Sequence, residues 1–445
     1  FTNVSNVEIL ELKESGNYDQ NVTLGAGFTT VDASAATAAV TIDGAATSSL
    51  NLSKVTTGTA ADTLKIEAGD LSSTDEFAFG SGTDTLQLST AATVTDSQFT
   101  KVTGLEVVKL GDFGSQSVTL GNLAVAAGVT TVDFSAATSA NATTTDFSSM
   151  TALANTTVLG GAGADTIVMK AEHLTSADTV TGNGGNDTLK FSTLASGIVD
   201  ASFTNVTGVE VLELSDISGS QSLTLGNEAL TDGAGGGIRT IDADALTGTN
   251  SVSIDISGST SDYGMTINTG AGADIVTMKA GHLTSADTIN GNGGVDKLVL
   301  TANGSATTIA VGAFTNVSNV EILELKESGN YDQNVTLGAG FTTVDASAAT
   351  AAVTIDGAAT SSLNLSKVTT GGAADTLKIE ADDLSDTDEF AFGDGTDTLQ
   401  LSTVATVTDA QFTKVTGLEV VKLGDFASQS VTLGNLAVAA GVTTV

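Results

Sequence analysis

Short apolar runs and short polar gaps alternate along this chain with a steady spacing. Near its start the runs VEILEL (7–12), VTL (22–24), VTID (40–43), LNL (50–52), LKI (64–66), FAF (77–79) and LQL (86–88) follow one another every nine to thirteen residues. Three to six residues of apolar–polar alternation predict a strand with one face turned to a core. The Gly, Asn, Asp, Ser and Thr between runs predict turns. Helical periodicity is nowhere sustained, although MKAEHLTSAD (169–178) and MKAGHLTSAD (278–287) have room for a single helical turn.

Self-similarity narrows the architecture. Residues 1–132 recur almost letter for letter at 314–445, and the segment F-T-x-V-(S/T)-x-(V/L)-E-(V/I)-(L/V)-x-L starts at Phe1, Phe99, Phe203, Phe314 and Phe412. These starts divide the chain into modules 1–98, 99–202, 203–313 and 314–411 and a partial module 412–445. Antiparallel sandwiches or propellers would place Asn-Gly or Asp-Gly turns between paired runs, and such turns are not systematic here. The expected fold is all-β, a parallel β-solenoid of the β-roll or β-helix kind. Its coils of about 20 residues would stack Val, Leu, Ile and Phe inward on one another. The chain opens and closes within a repeat, so it reads as an internal segment of something longer.

Composition agrees with strands and glycine turns: 50 Gly, 16 Phe, and no Pro, Cys or Trp. Charge adds a constraint, because 52 acidic and 15 basic residues leave a net charge of −37. That balance repels phosphate backbones and anionic lipid, so nucleic acid is excluded as a partner. No apolar run approaches the roughly 20 residues of a membrane span, and membrane insertion is not expected. Self-repulsion of this size opposes compaction unless cations are bound, and carboxylates on glycine-rich loops are a common way to hold calcium.

The loops carry that chemistry. GGAGADTIV (160–168) matches the calcium-binding nonapeptide G-G-x-G-x-D-x-U-x, and GNGGNDTLK (182–190) follows it. Their aspartates, Asp165 and Asp187, are 22 residues apart, as are Asp274 and Asp296, Asp62 and Asp84, and Asp375 and Asp397. A 22-residue coil would stack the paired loops, each offering a carboxylate and peptide carbonyls to an ion that takes six to eight oxygens. The strongest candidate ligands are Gly160, Gly161, Gly163 and Asp165 with Gly182, Gly184, Gly185 and Asp187. Next come Gly270, Gly272 and Asp274 with Gly291, Gly293, Gly294 and Asp296. Asp62 with Asp84, and Asp375 with Gly393, Gly395 and Asp397, form weaker pairs, because the loops at 58–62 and 371–375 have lost a glycine. Asp394 adds a carboxylate to the last of these. A third aspartate precedes the second of each pair by nine residues (Asp75, Asp178, Asp287, Asp388) and reads as a turn former. With no Cys and two His, zinc and copper sites are not expected.

These loops resemble the RTX family of calcium-binding β-rolls. The flanking F-T-x-V-x-x-V-E-x-L-x-L and TTVDASA patterns are similar to repeats of bacterial RTX-type S-layer proteins and giant secreted repeat proteins. The resemblance implies a right-handed parallel β-roll, type I secretion through a C-terminal signal, and folding outside the cell on meeting calcium. The coils here are longer than the family's, and the loops come in isolated pairs. The expected function is an extracellular structural scaffold at the bacterial surface, an S-layer or fibre, self-associating head to tail or in a lattice. An alternative is the extender of a secreted adhesin, with cell-surface polysaccharide as a partner.

Catalysis is not expected. His173 and His282 occupy a position that is Asp70 or Asp383 in the other modules, which reads as loop surface. Glu8, Glu106, Glu210, Glu321 and Glu419, in V-E or L-E settings, read as an outward-facing ladder. A polysaccharide-cleaving β-helix would need a non-repeated cluster of Arg, Lys or Asp in one cleft, and the sequence displays none.

Overall fold

Successive strands of this chain pair with strands about one coil away, always in parallel. The computed structural model describes residues 6–13, 17–46, 50–151, 155–231, 236–326, 331–359, 363 and 365–445. The chain divides into two compact units, one of Phe1–Ala195, Asp200–Ser215 and Thr231–Ile238, the other of Ser196–Val199, Asp216–Leu230 and Arg239–Val445. Each is a parallel β-solenoid.

In the first unit every early coil gives one strand to each of two rows. One row stacks Thr30–Asp32, Lys54–Thr56 and Glu76–Ala78; the other stacks Val40–Asp43, Thr63–Ile66 and Thr85–Leu88. Register is strict: Leu64 lies on Leu86 and Ile66 on Leu88, all four without exposed surface. Alternation explains this, since successive side chains point to opposite faces and a one-residue slip would expose the whole inner set. Burying each such Leu or Ile contributes roughly 1.5–3 kcal/mol.

At the junction of modules the rows shift by half a coil. Val107–Leu110 stacks on Thr85–Leu88 but is followed by Thr131–Asp133, while Gln116–Thr119 stacks on Thr93–Val94 and begins a row with Thr143–Asp146, Thr166–Met169 and Thr188–Phe191. The added half coil is the 3-10 turn Asp96–Phe99 and the short strand Val102–Thr103, anchored by Phe99 at 1 % exposure. The second unit repeats the manoeuvre at Val311–Phe314. There Ile322–Lys326 leads to Thr343–Asp345, and Gln333–Thr336 opens a row with Val353–Asp356 and Thr376–Ile379.

The strands expected at 7–12, 22–24, 40–43, 64–66, 77–79 and 86–88 are present within a residue or two. LNL at 50–52 is not a strand: Leu50 and Leu52 are buried in an irregular stretch, Leu50 tucked against Gly44, and the strand is Lys54–Thr56. The helical turns expected near 169–178 and 278–287 are the 3-10 turns Ala171–His173 and Ala280–His282. Short α-helices at Asn122–Ala127 and Asn435–Ala440 have no counterpart in the sequence reading. Each is held at its N-terminus by a carboxylate from the preceding coil. Asp96 accepts the N–H groups of Gly121, Leu123 and Ala124, and Asp409 those of Gly434, Leu436 and Ala437. The repeat start at Phe1 lies outside the described residues; Phe99, Phe203, Phe314 and Phe412 are all buried. Among the described residues no helix is long and apolar enough to cross a membrane.

Candidate functional site: carboxylate ladders behind the glycine loops

Backbone lies directly on backbone where the glycine loops stack. A Cβ on Gly163 would stand 2.3 Å from the Asn141 carbonyl oxygen, and one on Gly185 2.3 Å from that of Gly163. Gly185 also has φ +128°, a region other residues rarely enter. Loop-to-loop hydrogen bonds run from Gly184 N–H to the Gly161 carbonyl (3.2 Å) and from Gly293 N–H to that of Gly270 (3.3 Å). Asn183, at φ 69°, donates its side-chain amide to the Gly160 carbonyl at 2.7 Å. Gly182 and Gly291 donate to Thr207 and Ser318 in the next coil.

The aspartates that close these loops turn inward. Asp62, Asp84, Asp165, Asp187, Asp274, Asp296, Asp375 and Asp397 are all buried. In the second module Asp165 accepts the Thr143 N–H (2.7 Å) and hydroxyl (2.8 Å) through Oδ1, and the Gly161 N–H (2.6 Å) through Oδ2. The Asp165 N–H donates to Asp187 Oδ1 at 2.7 Å, and the Asp187 N–H to Glu210 Oε2 at 2.8 Å. The same ladder recurs as Asp62–Asp84–Glu106, Asp274–Asp296–Glu321 and Asp375–Asp397–Glu419. The reason is local: each rung stands just before a strand, where its N–H has no partner in the sheet and a carboxylate from the next coil caps it.

One sequence expectation changes here. Glu106, Glu210, Glu321 and Glu419 are not outward rungs; they are half-buried and end the ladders. In the loops that lost a glycine, Asp62 and Asp375 keep the Oδ1 contact, to Val40 and Val353, but Asp375 Oδ2 is buried without a partner where Asp165 and Asp274 bond Gly161 and Gly270. Asp394 is exposed on its loop. Asp75, Asp178, Asp287 and Asp388 are turn formers, as their spacing implies. Each accepts the N–H three residues earlier, from Ser72, Thr175, Thr284 and Ser385.

Every ladder leaves an oxygen over, and the fourth leaves a second, Asp375 Oδ2. Oδ2 of the middle rung, in Asp84, Asp187, Asp296 and Asp397, is buried without a hydrogen-bond partner. Burial first, and then the carboxylates above and below, push Asp84, Asp296 and Asp397 up to about 6 and Asp187 to about 7, against the capping N–H. Beside the Gly182 Cα, the Gly208 carbonyl oxygen and Asp187 Oδ2 flank one point, 1.8 and 2.4 Å from where a Cβ would stand; the Asn319 carbonyl and Asp296 Oδ2 flank Gly291 at 1.9 and 2.5 Å. Three stacked carboxylates, one buried unpaired oxygen and an adjacent peptide oxygen amount to a place short of one positive charge. The donors are all hard oxygens, so the residues fit calcium in kind. Among the described residues no three His, Cys, Asp or Glu side chains converge on one point. Peptide oxygens must therefore complete any coordination shell.

Comparison with known proteins returns no matching family model, no matching curated protein and no matching solved structure.

Proposed function

We propose that this chain is a repeated segment of an extracellular structural scaffold, of the S-layer or fibre type, whose ladders take up calcium. The observation that carries the reading is the fourfold recurrence of one ladder, each with a buried oxygen in want of a cation. Asp84, Asp187, Asp296 and Asp397 would hold the ion with loop carbonyls, and the ion would supply the positive charge that each stack lacks. Extracellular modules bind calcium at roughly 10⁻⁴–10⁻³ M, so such a ladder fills outside a cell and empties in the cytosol. At 100 times the dissociation constant, binding to the folded state alone stabilises by about 2.7 kcal/mol per site.

Calorimetry of the chain in EDTA and in millimolar calcium tests this. The melting temperature should rise with calcium but not with magnesium, and the rise should shrink in Asp187→Asn and Asp296→Asn. A calcium response unchanged by both substitutions, or none at all, refutes the ladders as the site. Electron microscopy with calcium, looking for sheets or filaments, tests the scaffold.

One observation favours the adhesin extender as a second reading. Arg239, the single arginine of the chain, lies 4.5 Å over the ring of Tyr263 and donates to the Leu230 carbonyl at 2.7 Å. It stands where other modules carry Thr29, Thr130 and Thr342. A saccharide array that retains the native chain and not Arg239→Thr would support recognition there.

A further inference from the structure

The four 3-10 turns Ala68–Asp70, Ala171–His173, Ala280–His282 and Ala381–Asp383 are equivalent, and each ends on a titratable, half-buried side chain. The residue is Asp in two modules and His in the other two. In both kinds a polar atom is buried without a partner: Asp70 Oδ2 and His173 Nδ1. Three residues upstream the chain changes in step, reading Glu67 and Glu380 before the aspartates but Lys170 and Lys279 before the histidines. Each upstream charge has the sign its neighbour would acquire on ionising. A carboxylate at 70 would face Glu67 and a carboxylate at 383 would face Glu380; an imidazolium at 173 or 282 would face Lys170 or Lys279. The paired substitution keeps the position neutral by opposite means.

We propose that this position is a neutral-only lock on the turn, made in an acid form (Asp70, Asp383) and a base form (His173, His282), and that each structural unit carries one of each. Ionisation puts a charge next to a like charge in a half-buried pocket and loosens the turn. The two forms ionise in opposite directions, so their effects on stability offset one another as pH changes.

The surroundings agree. Asp75 also opposes ionisation of Asp70, and the Lys101 ammonium bonds the Thr74 carbonyl, one residue before Asp75, at 3.4 Å. Asp383 faces Asp382 and Asp388 in the same sense, and Lys414 bonds the Thr387 carbonyl at 3.3 Å. Burial leads in raising both aspartates above their ordinary 3.8, against backbone hydrogen bonds at Glu67 and Glu380 that favour the ionised form. Burial also leads in lowering both histidines below their ordinary 6.5, against Glu172 and Asp178 at His173 and against Asp262 and Asp287 at His282. The signs follow. The raised aspartates lend stability that is complete below 3.8 and is lost as pH rises through their folded values; the depressed histidines lend stability that is complete above 6.5 and is lost as pH falls through theirs. The aspartate loss begins above 3.8 and the histidine loss below 6.5, and the two have opposite sign in pH.

Transplanting one form into the other's modules tests this with residues the fold already accepts. Lys170→Glu/His173→Asp together with Lys279→Glu/His282→Asp makes every lock acidic. Glu67→Lys/Asp70→His together with Glu380→Lys/Asp383→His makes every lock basic. Melting temperatures relative to the native chain, followed from pH 4 to 7 in EDTA, should fall with pH for the all-acidic variant and rise for the all-basic one, by about 2 °C or more across the range. Differences that are flat in pH, or of one sign for both variants, overturn the proposal. NMR of the two histidines in the native chain is the independent check: titration at or above 6.5 overturns it, and in Lys170→Glu the His173 midpoint should move up.

Discussion

Removing the last rung of a ladder separates its hydrogen bond from its charge. Glu210 Oε2 accepts the Asp187 N–H at 2.8 Å, and Asp187 has no exposed surface. Glu210→Ala strands that buried N–H, which costs roughly 1–3 kcal/mol. It also removes one of the carboxylates that make ionisation of Asp187 unfavourable, which returns part of the loss. Glu210→Gln keeps an acceptor in place and removes the same charge. At about 2–4 °C per kcal/mol for a unit of this size, Glu210→Ala should melt lower by about 2–12 °C, and Glu210→Gln should melt within about 2 °C of the native chain or above it. Scanning calorimetry at pH 8 in EDTA reads both. If the Gln variant falls as far as the Ala variant, the rung acts through its charge and the ladder account is wrong.

Other outcomes follow from the same geometry. Gly185→Val combines a positive φ with a Cβ 2.3 Å from the Gly163 carbonyl, and should cost roughly 1–3 kcal/mol from backbone strain alone in a urea titration. Phe203→Ala empties a fully buried site at a module junction and should cost about 3–5 kcal/mol by the same measurement. In metal-free protein, the raised value of Asp187 means that its contribution to stability is complete below 3.8 and is lost as pH rises through about 7. Carboxyl-carbon NMR should find that midpoint, and Asp187→Asn should flatten part of the melting profile between those limits. A midpoint near 4 would contradict the buried, crowded rung.

Much of the fold is written in the alternation, because period-two burial and a fixed repeat leave few ways to stack. What alternation does not encode is phase. The half-coil shift at Asp96–Phe99 preserves the inward set of Val107–Leu110 while changing which strands lie above and below it, so the alternation does not reveal it, although the repeat signature that starts at Phe99 stands at the same place. Leu50 and Leu52 mislead for a related reason: two buried leucines at spacing two suit an irregular stretch packed under Gly44 as well as a strand. The glutamates mislead by one residue. V-E-V reads as a strand with Glu outward, but the strand begins at the following valine, as in Val107–Leu110, and just before it the side chain is free to reach back to Asp84. The aspartate positions are legible from their 22-residue interval. Their inward turn is not, because calcium binding and N–H capping ask for the same residue after the same glycines. The signal that could have separated the two is the continuation of that interval, from Asp84 to Glu106 and from Asp397 to Glu419, past the last glycine loop.

The same half-coil shift bears on how such a chain changes length over generations. Each ladder is closed by a glutamate of the following module, Glu106, Glu210, Glu321 or Glu419, so every junction is made by the same hydrogen bond to the same residue type. Misaligned recombination between near-identical stretches such as 1–132 and 314–445 would insert or delete whole modules and leave the N–H of every middle rung facing a glutamate. Copy number then becomes a heritable setting that copying errors can adjust without a folding cost at the seam.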